Sequence, residues 1–299
     1  MDEQNVFNPE EEQTPEVMEE TPAPAKKKKS RVLNNIIYFS LMAIFVGVFV
    51  YCGIYIAGYV VETHESNSQF GDLSDLVNQY RDPTGGNIDA TLPTAIRNPE
   101  SGELVDVSGI LPEYREIYAQ NTDMVGWINV PGTTIDYPVM QTPSEPNFYL
   151  YKGFDKKKNK NGCLYIREAC DVFTPGDNVV IYGHHMRNGS MFTPLDNYKK
   201  KAYWKENQYF TFDTIYEKHT YQIIAVFKTS ANLGKGFSYH TFNFANSEEE
   251  FNAFMAQVHK LQFYDTGLTA EYGDMLLTLS TCEYTLDNGR FVVVAKRVS

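Results

Sequence analysis

The stretch TLSTCEYTLDNGRFVVVAK, residues 278–296, sets a cysteine, Cys282, and an arginine, Arg290, on either side of a short polar loop. A thiolate attacks carbonyl carbon readily, and it forms more easily beside a cation. A guanidinium supplies that cation and can also hold the oxyanion that develops during the attack. If residues 275–281 and 290–296 pair as a hairpin across the loop 283–289, both side chains reach the same end of it. Glu283 acts in the opposite sense, because a neighbouring carboxylate raises a thiol pKa. The bland alternatives are a cysteine buried as a small apolar residue and an arginine held structurally by Glu283 or Asp287.

A cysteine nucleophile needs a base. Of the six histidines, His64 follows a long apolar run, His219 sits at a hairpin turn, His240 is in a polar loop and His259 lies on a helical segment. His184 and His185 differ, because they follow the apolar run NVVIY and a glycine. The end of a buried strand places side chains at a sheet or barrel rim, where a pocket can form. The pattern alone leaves His184 and His185 as alternatives. No grouping of His, Cys, Asp and Glu has metal-ligand spacing, so no metal and no cofactor is expected.

The elements that must hold these residues are mostly strands. GWINVPGTTIDYPVM has two β-rich runs around Pro131-Gly132. NVVIYG reads as a short buried strand. QYFTFDTIYEKHTYQIIAVFKTS reads as two or three strands turning at Glu217-Lys218, and DMLLTLST with RFVVVAKRV forms the last pair. LPEYREIYAQN, 111–121, has helical spacing behind Pro112. NSEEEFNAFMAQVHKL, 246–261, is a late helix with a Ser247/Glu250 capping box and one apolar stripe through Phe251, Phe254, Met255, Val258 and Leu261. Many strands and one late helix predict a mostly-β barrel or sandwich with helical additions.

The remaining sequence sets the context. Residues 36–61 carry no charge and exceed the roughly 20 residues that cross a bilayer as a helix. Lys26, Lys27, Lys28, Lys29 and Arg31 precede them, which predicts a signal anchor with residues 1–35 in the cytoplasm and 62–299 outside. Residues 1–25 are acidic and too poor in apolar side chains to fold alone. Residues 62–109 read as a helix and a linker, and 110–299 as the folded domain. The net charge of −12 excludes a nucleic-acid footprint as a prior. Four cysteines are too few for a disulfide framework. Cys163 and Cys170 lie about 20 Å apart if the run between them is extended, so they are expected to be thiols.

TLSTCEY with RFVVVAK resembles the active-site strand pair of class B sortases, cysteine transpeptidases of Gram-positive bacteria. VVIYGHHM resembles the family's histidine segment, and DMVGWINVPGTTIDYPVMQ its first barrel strands. The helix 246–261 resembles the class B insertion between the sixth and seventh strands. The resemblance covers about 110–299 and implies a closed β-barrel of about eight strands. It implies Cys282 as nucleophile, Arg290 as transition-state arginine and His184, directly after the glycine, as the catalytic histidine. Ser280 and Glu283 match positions that line or support the substrate pocket, and Leu150 and Tyr239 are further groove candidates. The run GCLYIREAC departs from the family's Gly-Ser-Ile-Phe-Leu-Asp type and carries Arg167-Glu168 instead.

The activity so implied is cleavage of a sorting signal similar to LPxTG or NPxTN after its threonine. A thioester follows, and the protein passes to an amine of a peptidoglycan precursor or cross-bridge. The implied partners are signal-bearing surface proteins, that amine and the cytoplasmic membrane. The rivals are a pilin-polymerising sortase, which uses a pilin lysine as acceptor, and a catalytically inactive scaffold barrel.

Overall fold

The computed structural model describes residues 31–81, 93–232 and 234–299. The acidic tail and most of the stretch RDPTGGN lie outside them. The chain divides into two units, residues 1–56 and 57–299. In the first, the described residues belong to helix α1 (Arg31–Arg81), whose apolar side chains are exposed, Phe45 at 70% and Phe49 at 72%. That helix is long and apolar enough to cross a membrane.

In the second unit the later turns of α1 pack on the barrel. Phe70, Leu73 and Val77 are buried at helical spacing, and the Phe70 ring meets Tyr137 edge-on at 5.3 Å. The helix expected after residue 62 is therefore continuous with the apolar run. The linker also contains a small hairpin, β1 (Ala95–Arg97) with β2 (Leu104–Asp106), that strand periodicity in so short a run did not signal. A 3₁₀ turn at Pro112–Tyr114 leads into α2 (Arg115–Gln120), as the helical spacing predicts.

Eight strands close a barrel: β3 (Met124–Asn129), β4 (Asp136–Met140), β5 (Leu164–Ile166), β6 (Asn178–Tyr182), β7 (Tyr209–Thr214), β8 (Thr220–Ser230), β9 (Leu276–Glu283) and β10 (Gly289–Arg297). Around the barrel the order is β10-β8-β7-β3-β4-β5-β6-β9. All pairs are antiparallel except β4 with β5 and β6 with β9. Closure removes the unpaired edges that an open sheet of these strands would expose. A short helix α3 (Lys201–Glu206) precedes β7.

Helix α4 (Glu248–Leu261) is inserted between β8 and β9, the sixth and seventh barrel strands. Ser247 caps it by accepting the Glu250 amide at 3.2 Å, and the Glu250 carboxylate returns to the Asn246 amide at 2.9 Å. Its apolar stripe is buried, and the Phe254 ring stacks on Phe242 at 3.9 Å. This ties Phe242 of the preceding loop to the helix.

Two expectations about cysteines and turns are refined. Cys163 and Cys170 are both buried free thiols, but the run between them is not fully extended. It turns after β5, where the Cys170 amide bonds the Arg167 carbonyl. The last hairpin is longer than expected: β9 runs to Glu283 and β10 starts at Gly289, so the loop is 284–288.

Candidate active site

Because the strands of the last hairpin extend so far, Cys282 and Arg290 lie within the ladder and are direct cross-strand partners. Directly opposed residues share a face, with Cβ atoms roughly 4.5–5.5 Å apart. Alternation along β9 puts Thr278 and Ser280 on that face with Cys282, and β10 adds Val292 beside Arg290. Residues of the loop after β8 reach this face. The Phe237 amide bonds Thr229 Oγ1 at 2.8 Å, and the Tyr239 hydroxyl meets Ser280 Oγ at 2.6 Å.

The histidine arrives from a neighbouring parallel strand. Tyr182 of β6 stands beside Ser280 of β9, and the Gly183 amide bonds the Ser280 carbonyl at 3.1 Å. The next residue, His184, therefore leaves the sheet level with Cys282. A side chain on Gly183 would run into Leu164 and the Phe192 ring, which explains a glycine at this point. His184 Nε2 lies 2.7 Å from the Leu150 carbonyl, and its ring packs 5.6 Å from that of Tyr151. A carbonyl only accepts, so Nε2 carries a hydrogen and Nδ1 is left as the nitrogen that gains or loses a proton. His185 turns elsewhere: Nε2 is 3.1 Å from Asp196 Oδ2, and the ring meets Tyr284 edge-on.

Arg290 donates through one terminal nitrogen, to Asn288 Oδ1 at 3.0 Å, the Gly289 carbonyl at 2.9 Å and the Asn288 carbonyl at 3.3 Å. No carboxylate pairs with it among the described residues. Asp287 instead accepts from Asn232 at 2.8 Å, and Glu283 accepts the Thr285 amide at 2.9 Å and the Leu286 amide at 3.2 Å. The structural anchors considered for this arginine are thus occupied, and much of its guanidinium is left for a ligand.

Cys282, His184 and Arg290 line one groove of about 640 Å³, with Leu150, Tyr239 and Ser280 also on its walls. Glu283 was expected to line or support the pocket. It is 7% exposed, does not line the groove, and uses its carboxylate to close the loop after β9. Alternation explains this, since its side chain points to the opposite face from Cys282. Leu150 contributes its carbonyl to His184, which side-chain reasoning did not anticipate. Tyr165, Arg167, Glu168 and Tyr182 also line the groove. The alternation of Tyr165 with Arg167 along β5 and its continuation was the signal available for those two.

The groove has a marked electrostatic character. Burial, then the guanidiniums of Arg167 and Arg290, holds the pKa of His240 below the ordinary histidine value. Burial, then the charge of Glu168, raises the pKa of Tyr165, whose hydroxyl donates to Asn147 Oδ1 at 3.0 Å. Burial drives the Cys163 thiol well above its usual value and raises that of Cys170, so neither is poised as a nucleophile. Cys282 is half-buried at the groove wall.

Residues 128–298 match the Sortase domain family. The chain is 28% identical over 189 residues to Sortase B of Staphylococcus aureus (strain NCTC 8325 / PS 47), covering 62% of this chain and 75% of that protein. It is 29% identical over 189 residues to Sortase B of Listeria monocytogenes, with 62% and 74% covered. Among solved structures, a Staphylococcus aureus sortase B–substrate complex superposes with TM-score 0.65 at 22% identity, over 80% of this chain and 99% of that one. Sortase B of Clostridium perfringens superposes with TM-score 0.56 at 29% identity, over 62% and 99%.

Proposed function

The chain belongs to the sortase family as a class B sortase, a cysteine transpeptidase, and from that premise we propose that Cys282, His184 and Arg290 carry its reaction on a threonine-containing sorting signal. One observation carries the assignment: Arg290 stands directly across the ladder from Cys282, while the parallel strand β6 delivers His184 to the same level of the same groove.

In the proposed sequence the Cys282 thiolate attacks the threonine carbonyl carbon, and Arg290 holds the oxyanion. The amide C–N bond breaks as His184 protonates the leaving amine, and a thioester remains on Cys282. An acceptor amine then attacks the thioester carbonyl and gives its proton to His184, while the thiolate leaves. The acceptor is an amine of a cell-wall precursor or cross-bridge, and the donors are surface proteins carrying LPxTG- or NPxTN-like signals. Mass spectrometry of products from signal peptides and candidate amines tests this. A peptide joined to the amine through its threonine carbonyl is the expected product. Hydrolysis without amide formation, or no cleavage, would remove the proposal.

Arg290→Ala is expected to lower the cleavage rate by about 10²–10³-fold, the scale for losing one oxyanion donor. Arg290→Lys recovers only part, because lysine keeps the charge and loses the planar fork. Thermal unfolding changes little, since the side chain bonds only its own loop. Rate and melting temperature measured on one Arg290→Ala sample decide between chemistry and architecture.

We further propose that residues 36–61 anchor the protein with the tail inside and residues 62–299 outside. The charge-free run and the basic cluster before it support this. Protease added to intact cells is expected to degrade the outer part and spare the tail. Protection of the outer part reverses the orientation.

A further inference from the structure

The departure at Arg167-Glu168 has a physical consequence inside the groove. Arg167 and Arg290 are cations with partners already in the chain: Arg167 donates to Asn243 Oδ1 at 3.0 Å, and Arg290 to Asn288 and Gly289. Glu168 is the one carboxylate among the described residues lining the groove. It is half-buried and makes no hydrogen bond or ion pair with any described residue, Arg167 included. A half-buried carboxylate without a partner loses hydration when a peptide covers the groove, and an incoming cation offsets that loss.

The register fixes how far Glu168 stands from the reacting cysteine. The Arg167 amide bonds the Val180 carbonyl, and Val180 stands beside Thr278 on β9. Cys282 is four positions further along that strand, about 13 Å at 3.3 Å per residue, and two strand spacings of about 4.8 Å separate it sideways, so the direct distance is about 16 Å. The turn that holds Glu168 thus lies within about five extended residues of the reacting carbonyl. An acceptor's attacking nitrogen must instead meet the thioester at Cys282 itself.

We propose that Glu168 is a specificity-determining residue that selects a cationic side chain in the sorting signal, within about five residues of the scissile carbonyl. This rests on the transpeptidase reading above. It concerns which signals are taken, not how the bond is broken.

The test uses the full chain in detergent micelles, a fixed saturating amine, and fluorogenic peptides on LPxTG-like and NPxTN-like frames. Each position other than the threonine carries lysine, glutamine or glutamate in turn. Wild type is expected to favour lysine over glutamine at one position by about tenfold in kcat/KM, between the effect of an exposed pair and that of a desolvated charged hydrogen bond. Glu168→Gln should bring that ratio to near one. Glu168→Lys should favour the glutamate peptide at the same position, a gain that misfolding cannot produce. Because each ratio is taken within one protein, a change in overall activity cancels. A lysine preference that survives Glu168→Gln overturns the inference. Cleavage by wild type with no lysine preference at any position overturns it while leaving the transpeptidase reading intact. No cleavage of any peptide removes that reading, and this inference with it.

Discussion

Cys282→Ala is expected to take peptide cleavage and amine transfer down by about 10⁴-fold or more, to the limit of detection, because the covalent route is lost entirely. The expectation rests on the accessibility of the four thiols. Cys52 is within the apolar part of α1, and Cys163 and Cys170 are buried with thiols held protonated by that burial. Cys282 alone faces the groove. The substitution removes a single sulfur from a half-buried site at a strand end, so the cost to stability should stay within about 1 kcal/mol. A thiol-reactive sorting-peptide analogue should label wild type at Cys282 and leave the variant unlabelled. The measurement is intact-protein mass spectrometry beside a melting curve. Undiminished turnover in a folded Cys282→Ala protein would move the nucleophile elsewhere.

The second large effect separates two adjacent histidines. His184→Ala is expected to lower turnover by about 10²–10⁴-fold, the range for losing a positioned general acid–base. His185→Ala should keep a substantial fraction. His184 lines the groove, with its Nε2 fixed on the Leu150 carbonyl and Nδ1 left for proton exchange. His185 is spent on Asp196 and Tyr284, outside the groove. The pH profile of kcat/KM should lose a limb only in the His184 variant, a change that a purely structural histidine would not cause. A dead His185 variant beside a working His184 variant would reverse the roles.

Much of this arrangement was legible in the linear sequence, for reasons that are local. Consecutive strands with a short loop pair as a hairpin, so Cys282 and Arg290 could be brought together before any fold was known. The Ser247/Glu250 cap and the apolar stripe behind it specified α4 to within two residues of its start. An uninterrupted charge-free run predicts a membrane helix from composition alone.

What the sequence could not decide was set by contacts between segments far apart in the chain. Both histidines follow the same strand, the residue pattern alone leaves them as alternatives, and the parallel pairing of β6 with β9 shows physically how they differ. The Gly183 amide on the Ser280 carbonyl sets His184 level with the thiol, and the Leu150 carbonyl then orients it. Glu283 matches a family position that lines or supports the pocket. A strand sends adjacent side chains to opposite faces, and its carboxylate closes the loop instead. Arg167 and Glu168 looked like a disturbance of the family pattern, and the strand register places both on the groove wall. The sequence by itself determined which residue types were available and which local elements carried them. Which side chains meet was decided by barrel closure, because a parallel strand pair requires a long crossover whose endpoints no local pattern encodes.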